Sequence, residues 1–359
     1  MSDDNANQGA PWKRIVQALI SLAIVVGIFV GVLPRFASYS DVWDTIRAMT
    51  GLELVGLLVV GVWNIVTYWF VMVAVLPGLR FREAAVVNQA STAVANTLPG
   101  GGAIGVGVTY AMYTSWGFGT GEIALSALVS GIWNNFAKLG MPVVALAMLA
   151  VSGDVNATRL IAAGAGIVAL VVTVVGFGLV LKSDGLARTI GARLGRTVSR
   201  MRAWIRREPV GDWAEAAAGF RRDTVGLLRT RWLALSAATL ISHLSLFVVL
   251  WLTLRNVVPG TVPLSAVQVF AAFAFVRLIS ALPLTPGGLG VVELGYTAAL
   301  TIGLSQVAEA DIVAAVLLFR AITFFMPIPL GALSYVFWRR NRSWRETEGE
   351  RRALSSNVD

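Results

Sequence analysis

The chain has 359 residues, 56% of them apolar and only 14% charged, with a mean hydropathy of +0.72. An ordinary soluble domain carries about 25% charged residues, so this composition excludes a soluble enzyme of one or two domains. Zero cysteines exclude disulfide frameworks, iron–sulfur clusters and thiolate zinc sites, and the single histidine, His243, excludes a multi-histidine metal centre; neither a cofactor nor a resident metal is expected.

In chain order, residues 1–14 form a short tail that ends on Lys13 and Arg14, and 15–34 is the first apolar run. No small-residue cleavage site follows it, so it is predicted to stay as a membrane anchor. Further full spans are predicted at 52–76, 122–151, 158–181, 232–255 and 309–338, each apolar enough to cross ~30 Å of hydrocarbon. Two other apolar segments are broken in the middle. The segment 86–117 is interrupted at Leu98-Pro99-Gly100-Gly101-Gly102, and 265–304 is interrupted at Pro283, Pro286, Gly287, Gly288 and Gly290. Proline lacks the amide donor and clashes with the preceding turn, and glycine tolerates positive φ, so each cluster breaks its helix. The resulting arms of about 13–18 residues reach roughly 20–27 Å, marginal for a crossing.

The net charge of +9 sits in short segments beside the apolar runs. From Lys182 to Arg231 there are 12 basic and 5 acidic residues, and six arginines follow from Arg339 onward. That placement fits positive-inside topology rather than nucleic-acid binding. If each broken segment crossed once, the basic loop would lie opposite Lys13 and Arg14. If each enters and leaves on one side, the N-terminus, Arg80–Arg82, the 182–231 loop and the 339–359 tail all face the cytoplasm. The prediction is therefore an all-α integral membrane protein with six full spans and two oppositely oriented re-entrant hairpins. Its membrane domain covers 15–338, in halves 15–181 and 232–338 joined by the basic loop, in a prokaryotic-type cell membrane.

The halves also echo each other. Pro142 lies 37 residues after Gly105 and Pro327 lies 37 after Gly290, while Asn135 and Arg320 each lie 30 after the same glycines. Gly/Pro-broken segments at corresponding places in two halves point to a transport site at the repeat interface. Intramembrane charges face a cavity or a partner. Glu293 is either a substrate or proton-coupling group or half of a structural ion pair. Arg320, too deep to snorkel, either binds an anionic head group bidentately or locks against Glu293. Lys138 is either a second phosphate contact or reaches toward an interface. Asn134 and Asn135 line a polar cavity or bond across helices. Arg277 serves a ligand or holds its hairpin, and His243 reads as an interhelical hydrogen-bonding residue before a proton relay. Free amides at Pro99–Gly102 and Pro286–Gly288 would cradle phosphate oxygens, with Gly290, Asn96 and Thr285 beside them, or else the glycines let the tips pack closely. Within 184–207, Leu186, Ile190, Leu194, Val198, Met201 and Ile205 recur at helical spacing among arginines. That is a basic amphipathic helix, suited either to an anionic inner leaflet or to fixing topology.

The runs LPGGGAIGVG and ALPLTPGGLGVVELG, followed by AAVLLFRAITFFMPIPLGAL, resemble the lysylphosphatidylglycerol synthase transmembrane family of flippase-like membrane proteins, over roughly residues 12–340. The resemblance implies a lipid flippase-like domain with Glu293 and Arg320 at its functional centre. Val108 and Asn135 stand where the first half of the family frequently carries a charge. In full-length synthases a soluble domain performs aminoacyl transfer, and that half is expected to be absent. The function expected is therefore not enzymatic. It is transport of a phospholipid or polyprenyl-phosphate carrier between leaflets, downhill or ion-coupled, with Glu293 as the candidate proton carrier. Its partners would be membrane lipids with anionic head groups, and no nucleic acid. The alternative is a non-transporting scaffold for a lipid- or glycan-modifying membrane enzyme.

Overall fold

A computed structural model describes residues 39–98, 100–151, 157–204, 211–258, 260, 262, 264–281, 285–301, 306–341 and 343–345. Among these residues the secondary structure is entirely helical. The predicted span 15–34, the N-terminal tail, most of the C-terminal tail, Pro99 and Pro283 lie outside the described residues. The helices in order are α1 (Tyr39–Ala48), α2 (Gly51–Val75), α3 (Phe81–Thr97), α4 (Gly101–Ser115), α5 (Thr120–Val151) and α6 (Ala157–Lys182). After them come α7 (Asp184–Trp204), α8 (Trp213–Val257), α9 (Ala266–Ile279), α10 (Val291–Leu300), α11 (Gln306–Arg320) and α12 (Pro327–Arg340).

Local chemistry sets the starts. Thr50 opens α2 with a capping box: its hydroxyl accepts from the Glu53 amide at 3.3 Å, and Glu53 accepts from the Thr50 amide at 2.7 Å. Ser265 and Gln268 do the same for α9. The Glu83 carboxylate accepts from the Arg80 amide at 3.0 Å at the head of α3. Between α11 and α12, the Met326 amide reaches back five residues to the Ala321 carbonyl at 2.9 Å, a π turn that ends where Pro327 has no amide to give.

Among the described residues four helices are long and apolar enough to cross a bilayer: α2, α5, α8 and the run Ala308–Arg340 through the π turn; a fifth follows if α6 and α7, bent by 109° between them, count as one broken span. The arms α3, α4, α9 and α10 hold 17, 15, 14 and 10 residues. At 1.5 Å per residue none alone covers ~30 Å of hydrocarbon. Val168, Val171, Val172, Val175 and Leu179 of α6 are all exposed, as a lipid-facing surface requires.

The largest core gathers α8, α9, α10 and α11 around Phe273, Tyr296, Ile312 and Phe319. A second core joins α2, α3 and α4 through Leu76, Val87, Tyr113 and Trp116. The first arm of each hairpin packs on the other half: α3 against α12, and α9 against α5. Gly331 makes the first approach close, since a Cβ there would overlap the Gln89 carbonyl oxygen. Where the sequence predicts a basic loop, α7 folds back along the first turns of α8.

Candidate functional site

The second hairpin turns through a short 3₁₀ segment, Pro286–Gly288, into α10. Gly287 and Gly290 sit at φ +57° and +80°, conformations that L side chains rarely adopt. This turn brings Glu293 to the third position of α10, where one carboxylate oxygen accepts from the Gly290 amide at 2.7 Å. The other accepts from Arg320 Nε at 2.7 Å. Arg320 Nη2 also donates to the Gly287 carbonyl at 3.0 Å, and its guanidinium carbon lies 4.4 Å from the centre of the Phe324 ring. Glu293 is 0% exposed and Arg320 7%. A single carboxylate therefore caps α10, neutralises Arg320 and holds the hairpin tip to α11.

The first hairpin meets this cluster. Gly101 lies so close to α3 that a Cβ would fall 2.6 Å from the Ala95 carbonyl oxygen. Asn96, at the end of α3, donates through Nδ2 to the Phe324 carbonyl at 3.2 Å. A Cβ on Gly287 would come within 3.0 Å of Asn96 Oδ1. The two tips thus meet at Asn96, Gly287 and Phe324.

Two polar cavities flank this meeting point. One of about 490 Å³ is bounded by α2, α3, α4, α5, α8 and α9 and takes in Gly102, Gly105, Asn134, His243 and Arg277. A smaller one of about 180 Å³ lies against Gly287, Gly288, Tyr296 and Arg320. Arg277, Leu246 and Thr323 line both. Arg277 comes from the last turn of α9, and its Nε is buried with no hydrogen-bond partner among the described residues. Its situation is the reverse of Arg320's, whose guanidinium is already held.

The remaining candidates divide. Asn134 lines the larger cavity and anchors its amide on the Ser130 carbonyl at 3.0 Å. Asn135 points outward, exposed, and Lys138, half-buried, lines neither of these two cavities. Thr285 donates to the Leu289 carbonyl at 2.8 Å within the turn. Gly100 is exposed in a left-handed conformation and lines neither cavity. Sequence reasoning passed over Asn64, Asn88, Ser91, Thr92, Thr109 and Ser242, all on the wall of the larger cavity. The signal was present on α3, where Asn88, Ser91, Thr92 and Ala95 fall on one helical face.

The model of the family described as lysylphosphatidylglycerol synthase TM region matches residues 18–331. The chain belongs to this family. Membership of the lysylphosphatidylglycerol synthase TM family makes it a multi-pass membrane protein linked to lipid metabolism. No curated protein matches the chain.

Proposed function

We propose that this family member carries an anionic, phosphate-bearing amphiphile, a phospholipid or a polyprenyl-phosphate carrier, between leaflets. The head group occupies the polar cavities between the hairpins, and its phosphate rests on Arg277. The observation that carries this reading is that side chain: half-buried, lining both cavities, with its Nε buried and unpartnered among the described residues. Such a group left alone in an apolar membrane domain costs several kcal/mol by the less severe estimates, and a phosphate oxygen would offset that cost with a charge-assisted hydrogen bond. The Glu293–Arg320 pair then acts as a clamp on the second hairpin, and a head group moving between the cavities passes beside it. In the re-entrant arrangement of this proposal, with both termini cytoplasmic, arms too short to cross the hydrocarbon alone would bring the tips within the membrane. Irregular backbone at that depth is tolerated where it borders a cavity.

The test is reconstitution of the full chain into vesicles with a head-group-accessible fluorescent phospholipid in both leaflets. Wild-type protein should equilibrate the label between leaflets, Arg277→Gln should slow this at least tenfold, and Arg277→Lys should fall between. Vesicles whose leaflets stay unmixed by wild-type protein would overturn transport and favour the scaffold reading, in which the protein co-purifies with a lipid- or glycan-modifying enzyme.

A further inference from the structure

A third cavity, an apolar groove of about 460 Å³, lies between α5, α6 and α8. Among the described residues it shares no lining residue with either polar cavity. Three rings line it, Trp133, Phe136 and Phe177, with centres 5.7, 6.2 and 5.6 Å apart, the spacing of mutually packed aromatics. The indole of Trp133 donates to the Ser236 hydroxyl at 2.9 Å, the Thr239 hydroxyl is buried, and no charged side chain is among the described lining residues. Val174 and Leu240, also in the lining, are exposed, so the groove opens beside the exposed apolar face of α6. A Cβ on Gly178 would meet open space, which leaves that part of the groove clear up to the backbone of α6.

Shape and charge narrow the occupant. On α8 the lining runs from Leu228 to Leu240, about 18 Å at 1.5 Å per residue. Spread over that length, the volume gives a cross-section of roughly 25 Å², against roughly 80 Å² for a helix about 10 Å across. A packed helix is too thick, whereas a single extended hydrocarbon chain fits. One end of the groove is cationic. Leu181 lines it, and the carbonyls of Leu181 and Lys182 accept from Arg221 of α8, from Nε at 2.8 Å and from Nη2 at 3.4 Å. Lys182 and Arg229, next in the chain to the lining residues Leu181 and Leu228, are both exposed. These three cations outnumber the neighbouring acids Asp184, 3.7 Å from Arg221 and also paired with Arg188, and Asp223. At the same point the chain bends by 109° from α6 into the basic α7. An apolar slot that ends in excess positive charge is complementary to an anionic lipid whose head stays at the membrane surface.

We infer that this groove is a resident-lipid site: one acyl chain of an anionic membrane lipid lies along Trp133, Phe136 and Phe177, with its head group at Lys182 and Arg229. The site is separate from the polar cavities and stands whether or not they carry a lipid.

The test places the full chain in phosphatidylcholine vesicles doped with phosphatidylglycerol that carries a photoactivatable diazirine midway along one acyl chain. Adducts are mapped by mass spectrometry. Trp133, Phe136 and Phe177 should be labelled at least fivefold more than Val171 and Val175, exposed residues of α6 that bulk lipid touches. Unlabelled phosphatidylglycerol should displace the probe at least fivefold more effectively than added phosphatidylcholine. Gly178→Phe, which fills the groove, should cut labelling of the three rings at least fivefold and leave Val171 and Val175 unchanged. The double variant Lys182→Gln/Arg229→Gln alters exposed side chains alone, so it keeps the test open if Gly178→Phe does not fold; it should abolish the preference for phosphatidylglycerol. Ring labelling no higher than that of Val171 and Val175 means bulk lipid only. Rings without label mean that protein covers the groove, either residues 15–34 of this chain or a partner. Either result overturns the inference, as does equal displacement by the two lipids, a preference that survives the double variant, or ring labelling that persists in folded Gly178→Phe.

Discussion

Glu293 and Arg320 are 27 positions apart in sequence, and each charge is tolerable only because the other is there. Removing one partner of a buried pair costs about 3–5 kcal/mol, whereas replacing both with neutral groups of similar size is far milder. Glu293→Gln and Arg320→Gln should each lower the thermal midpoint of the purified protein sharply, and the double variant should recover most of that loss. The cycle is read by unfolding in one detergent at one pH; additive losses would mean that the 2.7 Å contact contributes no coupling. Arg320→Lys should resemble Arg320→Gln more than wild type. A single ammonium cannot serve Glu293 and the Gly287 carbonyl with the fork geometry of a guanidinium, nor lie flat on Phe324.

At the scale of the element, α7 shows how a basic segment is held. Its contact face is made of Ala187, Gly191 and Gly195, buried at successive turns, and a Cβ on Gly191 would overlap the Trp213 carbonyl oxygen of α8. Around that seam runs a network of exposed ions. Arg188 pairs with Asp184 at 2.9 Å and with Glu215, and Arg222 pairs with Glu215 at 3.0 Å. The hydrogen bond from Arg188 holds Asp184 below the usual carboxylate range, and those from Arg222 and Arg188 do the same for Glu215. A depressed folded-state value means the contribution is complete above the unfolded values and is lost as pH falls through the folded ones. Docking of α7 should therefore be constant from neutral pH to about 5 and weaken below about pH 4. Salt should weaken it too, because these charges are exposed. Gly191→Leu should detach it at any pH, read as faster proteolysis within 184–212.

The apolar stripe that the spacing picked out is a different face of the same helix. Leu186, Leu194 and Met201 are exposed, with Arg193 and Arg200 also exposed further round the helix. With α7 bent 109° from the apolar α6, that stripe is set to lie along the bilayer surface if α6 spans it. An environment-sensitive dye on Leu194→Cys should brighten more in vesicles rich in anionic lipid than in zwitterionic ones. Equal, water-like emission in both would place the stripe in solvent.

Over the whole molecule the two halves trade partners. The N-caps Arg80 and Ser265 are 185 positions apart, as are Pro142 and Pro327, and the third helical residues Glu83 and Gln268 each hold their own cap amide. α3 leans on α12 while its counterpart α9 leans on α5, and α2 packs on α8. That exchange is what a pseudo-two-fold arrangement produces. It also puts the hairpin tips between the halves. In this cysteine-free chain, Ser183→Cys and Ser343→Cys, both exposed, should react with an impermeant maleimide from the cytoplasmic side. Gly260→Cys, exposed beyond the far end of α8, should react from the opposite side. Labelling of Ser183→Cys and Gly260→Cys from one side would break the topology.

Composition and periodicity were enough for the membrane class, the helical breaks ahead of Gly101 and Val291 and the helical nature of α7, because each depends on short-range chemistry: apolar run length, missing amide donors, capping side chains; the family was legible in the resemblance of particular runs such as ALPLTPGGLGVVELG. The pairing of Glu293 with Arg320 was legible too, since two opposite charges in apolar helices have few other ways to be stable. That the Nε of Arg277 is left without a partner among the described residues was not. Arg277 and Arg320 look alike in sequence, both flanked by apolar residues, and the difference between them is the set of atoms that packing brings near each. The same holds for α7, where the docking face is the small residues and the large apolar ones are left over; close approach of two backbones depends on the partner helix, which no spacing within α7 encodes. His243 shows the same: the sequence supplies a lone imidazole on an apolar helix, and only the tertiary structure holds one nitrogen on its own helix and leaves the other buried without a partner among the described residues.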